Sequence, residues 1–479
     1  MPEAGPGSAK VVRQLPARPA GSVSHARVVV VGGGLAGLVT AYELEKSGIE
    51  THVLEATDVW GGRVTTAYYA PDLHAEFGMQ EVWATNPLLE VARELHVPIE
   101  GEAEPAFSSI ILDGRVVPFL QDTPDEYFAS FLRPDERQAL RDWLGNAERL
   151  HHLAKTAGLR DGYVRDLEGI SFKTWIDQSG VPPRVAEFLR LTIECELAAD
   201  WEQFSALIGL LEFEVFFGDG APNYHVQGGN QRVIDALVGA IRGEKTLGAT
   251  VTQALRTRGS DGATRVRVQY VKDHVLSSVE GERVVLAVPF VRLHQILTEP
   301  PLSEEKWQAI RTLMRGQYTV VHFLVDKQID SLWGGDGGNP FPVLSRGPLG
   351  VIYGINETTP DSQPLQVFSL LVYGMAANAW HMAPREQKVR EALAELDRLW
   401  PGFSGHVRET HAYSHHPAAI PIWPPGRSPI DEGGDALRAP EMGLWLAGDY
   451  TLNAHSEGAV RSGLRVAREI ARDLAPSGR

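Results

Sequence analysis

RVVVVGGGLAGLVTAYELEKSGIETHVLEATDVWGGR, residues 27–63, decides the fold. The consecutive valines Val28 to Val31 predict a buried parallel strand, and Gly32, Gly34 and Gly37 follow with the G-x-G-x-x-G spacing that opens a helix. The first glycine permits the tight turn, the second lets a pyrophosphate approach bare backbone, and the third lets helix and strand pack closely. The helix N-terminus adds unpaired N–H groups and partial positive charge. Leu35, Leu38, Ala41 and Tyr42 keep an apolar helical face, Gly48 can stop the helix, and Thr51 to Leu54 return as a second strand ending at Glu55. A carboxylate there can take both hydroxyls of an adenosine ribose. Strand, helix, strand and terminal acid in register point to a dinucleotide and leave NAD and FAD both open.

Two further pieces bear on that choice. Gly61, Gly62 and Arg63 can form a second glycine turn that carries an arginine back to the same pyrophosphate. Far along the chain, Leu446, Ala447, Gly448 and Asp449 read as an apolar strand ending in a carboxylate, ahead of a helix start at Glu457, Gly458, Ala459 and Val460. Together they describe the site of one long cofactor.

With these residues the chain resembles the flavin amine oxidase superfamily, which includes monoamine, polyamine and L-amino acid oxidases and phytoene desaturase-like enzymes. The matching segments are VVVVGGGLAGL, LEATDVWGGR, AEFGMQEVWATNPLLEVARELHV, GGNQRVIDAL, ERVVLAVP and LWLAGDYTLNAHSEGAVRSGLRVA, spread over residues 27–470. The resemblance implies an α/β fold, with a Rossmann-like FAD-binding domain and an interleaved α+β substrate-binding domain. It implies FAD, with the pyrophosphate on the backbone of Gly32, Gly34, Leu35, Ala36 and Gly37 and Arg63 beside it. Glu55 would hold the ribose, Val251 the adenine through its main chain, and Asp449 the ribityl or phosphate region. The amides of Ser456 and Glu457 would face the pyrimidine edge of the flavin, and Ala56, Gly62, Gly448 and Val460 complete the expected cofactor contacts. A helix N-terminus aimed at the pyrimidine edge stabilises the negative charge that develops on reduction.

The composition agrees. A chain of 479 residues exceeds what one core usually supports, and 43% hydrophobic content suffices for two domains. A formal charge of -16 argues against nucleic acid or an anionic membrane as partner. The single cysteine, Cys195, excludes an internal disulfide and suits a reducing cytoplasm. Residues 1–25, rich in Pro, Ala and Gly, read as a disordered leader without the apolar stretch of a signal peptide. The sequence has no apolar run of about 18 residues and no hydrophobic tail, so no membrane anchor is expected.

The cofactor motifs place the FAD-binding domain at residues 26–87, 226–292 and 424–474, and the substrate-binding domain at residues 88–225 and 293–423. In the first insertion, Thr123, Pro124, Asp125 and Glu126 form a capping box ahead of the amphipathic PDERQALRDWLGNAERLHHLAK. In the second, the stretches from Gly316, Val351 and Leu365 read as strands, and the one from Arg385 as a helix. A small-molecule substrate is expected between this layer and the flavin.

The departures from the family pattern concern catalysis. Most amine-oxidising members carry a lysine over the flavin; Val320 stands at the matching position, and His322, two residues on along the strand, is the candidate replacement, with a packed structural histidine as the other reading. The paired aromatic cage corresponds to Ala419 and His455, with Trp423 as a candidate wall or a core aromatic. The cysteine that holds covalent flavin in some relatives corresponds to Ala418, so FAD is expected to be noncovalent. Where amino acid oxidases carry an arginine for the substrate carboxylate, this chain has Gln80 and Glu81, which disfavours an α-amino acid; Glu81 suits a cationic amine or a solvated role. His411, His415 and His416 lie in HAYSHHP without helical context, and no metal site is assigned. No nucleophile motif supports hydrolysis.

The resulting expectation is an FAD-dependent amine oxidase or dehydrogenase that transfers hydride from a C–H next to nitrogen to flavin N5, giving an imine, with O2 as reoxidant. The alternatives are an FAD-dependent desaturase acting on C–C bonds of an apolar, isoprenoid-like molecule, and a redox-neutral flavin isomerase. Amine turnover, polyene turnover and turnover without an electron acceptor distinguish the three.

Overall fold

The computed structural model describes residues 20–102, 107–120, 123–212, 223–333, 338–355 and 363–475. Its centre is a five-stranded parallel sheet built from β1 (Val28–Val31), β2 (Thr51–Leu54), β3 (Glu244–Thr246), β4 (Arg283–Leu286) and β5 (Leu444–Leu446), in the order β3-β2-β1-β4-β5. Val31 sits opposite Leu54 on one side and Leu286 on the other, so β1, β2 and β4 end level with one another. Every residue of β1 and β2 is buried, as continuous apolar runs require of a sheet covered on both faces.

Helix α1 (Leu35–Lys46) leaves β1 through the glycine turn and packs on α2 (His455–Asp473), the last helix. That contact is close because Gly463 faces Ala36: a Cβ at Gly463 would stand 2.7 Å from the Ala36 carbonyl oxygen. Gly37 has the same function against β1, since a Cβ there would meet the Gly32 carbonyl oxygen at 1.9 Å. Only glycine permits these approaches.

A seven-stranded sheet forms the other half, with Met314–Asp326 between Val407–Ile422 and Leu365–Tyr373. Strand alternation divides Met314–Asp326 between two environments. Val321, Phe323 and Val325 join a core with Ala392 and Leu396 of the helix Arg385–Leu399, whereas Tyr318 and Val320 face the central cavity. The strands expected at Gly316, Val351 and Leu365 and the helix at Arg385 are all present. So is the capping box: the Thr123 hydroxyl accepts from the Glu126 N–H, and the Glu126 carboxylate accepts from the Thr123 N–H at 2.9 Å. The helices between Pro124 and Leu211 bury Trp143, Phe172, Trp175 and Phe188 against one another.

One expectation is corrected. Residues 20–25, assigned to a disordered leader, form the edge strand Ala20–His25, paired in parallel with Val275–Gly281. Its small residues pack little, but the partner strand satisfies its backbone, and Ala26 N–H continues the pairing to the Glu280 carbonyl at 3.0 Å. Residues 1–19 lie outside the described residues.

Candidate active site

One cavity of about 1000 Å³ runs from the glycine turn to the seven-stranded sheet. At its first end lie Gly32, Gly34, Leu35 and Ala36, with Glu55, Ala56, Gly62 and Arg63 beside them and Val251 further along the wall. Helix α1 begins at Gly34, which offers no side-chain cap, so the amides of its first turn remain available. The Glu55 carboxylate is fixed: one oxygen accepts from Gly33 N–H at 2.7 Å and the other from Thr57 N–H at 2.8 Å. The bridge between Gly34 and Gly61, closed by Gly61 N–H to Gly33 C=O at 2.8 Å, brings the second glycine turn against the first.

Arg63 Nη1 lies 2.6 Å from Asp449 Oδ2 and also donates to the Ala419 carbonyl. Burial opposes the charge of this guanidinium, but Asp449 more than offsets it and the pKa is raised. Gly448 and Asp449 line the cavity with Tyr450, whose buried hydroxyl has no hydrogen-bond partner among the described residues. Ser456, at the start of α2, also lines it and accepts from Asn86 Nδ2 at 2.9 Å.

Three expected cofactor residues stand behind the wall. Gly37 packs on Gly32, Val460 is fully buried in the core, and the Glu457 carboxylate pairs with Arg461 at 2.7 Å, away from the cavity.

The catalytic candidates separate. His455 lines the cavity, and its Nε2–H donates to Glu212 Oε2 at 2.9 Å. Burial lowers its pKa, but Glu212 outweighs burial and raises it to about 9, so the ring is an imidazolium at neutral pH. His322 does not line the cavity. It is fully buried, with Nε2–H donating to the Glu76 carbonyl at 3.1 Å, Nδ1 accepting from the Tyr69 hydroxyl at 2.6 Å, and the ring stacked on Phe77 at 4.4 Å. Both ring nitrogens are engaged, which gives the structural reading of His322. Trp423 likewise sits in the core, 1% exposed, and is not among the lining residues. Val320, Ala418 and Ala419 all line the cavity.

The far end holds residues that sequence reasoning missed. Phe107, Phe188, Leu344 and Leu371 supply apolar wall, and Tyr318, Tyr353 and Glu196 supply polar groups. Tyr318 donates to the Glu196 carbonyl at 3.0 Å, which ties the strand to the end of the helix Pro183–Leu197. Burial first, then Glu81 and Glu196, hold the Tyr353 hydroxyl well above its ordinary pKa. Gln80 and Glu81 both line the cavity; the Gln80 amide donates to the Glu76 and Gly78 carbonyls at 3.2 and 3.0 Å, and the Glu81 carboxylate accepts from Asn223 Nδ2 at 2.8 Å. His416 Nε2–H donates to the Phe77 carbonyl at 2.6 Å, and burial lowers the pKa of this ring. His415 stacks on His381 at 4.1 Å, and the His411 side chain lies outside the described residues. Among the described residues, no three His, Cys, Asp or Glu converge as metal ligands. No helix among them is long and apolar enough to cross a membrane.

The family profile described as flavin containing amine oxidoreductase matches residues 35–471. The chain belongs to that family. It is an oxidoreductase and a flavoprotein by that membership. Among known proteins, this flavin amine oxidoreductase is similar to a 15-cis-phytoene desaturase of Arabidopsis thaliana, with 26% identity covering 94% of this chain and 81% of the relative. It is also similar to a probable flavin-containing monoamine oxidase A of Dictyostelium discoideum, with 23% identity covering 92% of this chain and 97% of the relative. Its fold matches the solved cyclohexylamine oxidase from Brevibacterium oxydans IH-35A with a TM-score of 0.76 at 21% identity, over 94% of this chain and 99% of that one.

The residues present fit a flavin. The backbone of Gly32 and Gly34 is bare toward the cavity, the Tyr450 hydroxyl is buried without a partner among the described residues, and α2 begins at the wall without a side-chain cap.

Proposed function

We propose that this protein binds FAD noncovalently in extended form and oxidises an amine at the carbon next to nitrogen. The reading is carried by the shape and chemistry of one continuous cavity: a dinucleotide cradle at one end, and at the other an aromatic chamber with the carboxylates Glu81 and Glu196. Gly32, Gly34, Leu35, Ala36 and Arg63 would hold the pyrophosphate, Glu55 the ribose, the Val251 main chain the adenine, Asp449 the ribityl region, and the amide of Ser456 the pyrimidine edge. Residues 26–87, 226–292 and 424–474 would form the Rossmann-like FAD-binding part, and residues 88–225 and 293–423 the substrate-binding part. Ala418 offers no thiol for covalent attachment.

FAD, when bound, supplies a two-electron acceptor. The chain's own residues do the rest. Glu81 attracts the ammonium form of the substrate, while Phe107, Phe188 and Leu344 exclude water and orient the carbon skeleton. The bound ammonium would first give one proton to solvent; the neutral amine would then lose two electrons and one proton as hydride to the acceptor and a second proton to solvent, leaving as an imine that water hydrolyses to a carbonyl compound and ammonia or a smaller amine. O2 is the proposed final acceptor, with hydrogen peroxide as product; Val320 in place of a lysine makes that step slow.

The apolar wall and the likeness to phytoene desaturases favour a second reading, C–C desaturation of an isoprenoid-like molecule. Anaerobic mixing of the FAD-loaded enzyme with a panel of primary and secondary amines, and separately with polyenes in detergent, decides between them. Bleaching of the flavin absorbance by an amine supports the proposal. Bleaching by polyenes alone reverses it, and turnover without net bleaching or added acceptor marks a redox-neutral isomerase.

A further inference from the structure

We infer that the His455–Glu212 ion pair is a redox-tuning element, which holds an imidazolium at the N-terminus of α2 so that reduction of the bound flavin is favoured. The inference rests on the proposed binding of FAD in this cavity.

The geometry makes the cation face the cavity. His455 lines the wall and Glu212 does not, so the imidazole stands at the surface that a bound cofactor meets, with its counter-ion 2.9 Å behind it. The side chains are 27% and 10% exposed, respectively, which keeps the pair partly shielded from solvent screening. The carboxylates of Glu212, Glu196 and Asp449 all act on the ring in the same sense, and Asp449 is itself paired with Arg63.

The placement is otherwise unfavourable. Cations stabilise helix C-termini and oppose N-termini, yet His455 is the first residue of the 19-residue helix α2. Ala454 precedes it and contributes no side-chain cap, so the helix amides add positive potential of the same sign. His455 also adopts φ 73°, a left-handed conformation that a non-glycine residue rarely takes. Glu212 compensates the imidazolium from behind, and the cation together with the uncapped helix N-terminus presents positive potential toward a ligand that becomes negative beside them. A flavin gains negative charge at its pyrimidine edge on reduction, and preorganised positive charge there lowers the free energy of the reduced form. In place of an aromatic cage wall, this chain uses charge.

The test measures the flavin midpoint potential of the FAD-bound wild type, His455→Gln and Glu212→Gln. At a fixed applied potential, H455Q is expected to lower the ratio of reduced to oxidised flavin about tenfold, which for a two-electron couple is about 30 mV. E212Q removes the main contribution that raises the His455 pKa, so its ratio should fall below wild type at about pH 8, and the shortfall should shrink or reverse toward about pH 5. A change below threefold in FAD-bound H455Q overturns the inference and leaves the proposed function standing. A wild-type protein that takes up no FAD overturns both. Should H455Q fail to fold, the pH response of E212Q decides: a potential that tracks wild type at both pH values overturns the inference.

Discussion

Arg63 and Asp449, separated by 386 positions in sequence, meet at 2.6 Å in the wall of the cavity. The pair joins the turn after β2 to the turn after β5, and the same guanidinium holds the Ala419 carbonyl of the seven-stranded sheet. Three parts of the chain therefore depend on one side chain.

Arg63→Ala leaves Asp449, 3% exposed, without its charge partner. Removal of one partner from a buried pair costs about 3–5 kcal/mol. Arg63 is 35% exposed at the side chain, so the lower part of that range is expected. Chemical denaturation measures it, and the flavin content of the purified protein should fall in parallel. A variant as stable and as yellow as wild type would remove Arg63 from both roles.

The His455–Glu212 pair makes stability depend on pH. His455 titrates at about 9 in the folded protein against 6.5 for an ordinary imidazole. A raised pKa stabilises the fold fully below the unfolded value and loses that contribution as pH rises through the folded one. The stability gap between wild type and His455→Gln should therefore be largest below about pH 6.5, at no more than ~3 kcal/mol, and close above about pH 9. Urea denaturation across that range gives the profile, and a gap that widens with pH would contradict the sign.

Gly37 and Gly239 form a matched comparison. Gly37→Ala places a Cβ 1.9 Å from the Gly32 carbonyl oxygen, whereas Gly239, in the helix Gln231–Ala240, has nothing within 4 Å. Overpacking at Gly37 should cost about 1–3 kcal/mol and weaken FAD retention. Gly239→Ala, in the last turn of that helix, should gain about 0.4–1 kcal/mol by restricting the unfolded chain. Thermal melts of the two variants check the contrast.

His322→Phe keeps the stacking surface on Phe77 but removes the bonds to Tyr69 and Glu76. The expected loss is about 2 kcal/mol of stability. The rate of flavin reoxidation by O2, followed by stopped flow, should stay within twofold of wild type. A large kinetic effect with little loss of stability would restore a catalytic role to His322.

Glu81→Gln tests the attraction of a cationic substrate. KM for amines should rise about tenfold with kcat little changed, as expected for uniform binding. An apolar substrate would show no such split.

The parallel strands, the glycine turn and the acid at its far end were legible in the sequence because each obeys local rules: apolar runs, glycine spacing and helix starts are properties of a few consecutive residues. Those rules led to Gly32, Glu55, Arg63 and Asp449, all of which meet in one cavity. They could not separate His322 from Val320, two positions apart on one strand. The difference lies in what packs above them: Phe77 and Glu76 cover His322, and the cavity opens over Val320. Nor could they pair His455 with Glu212 across 243 positions, or bring Glu196 and Tyr353 to the chamber of Glu81. Sequence alone determined the family and the strand–glycine turn–helix unit, since short-range patterning encodes strands and turns. Tertiary structure decided which titratable groups reach the cavity and in what charge state, because burial and long-range partners set both.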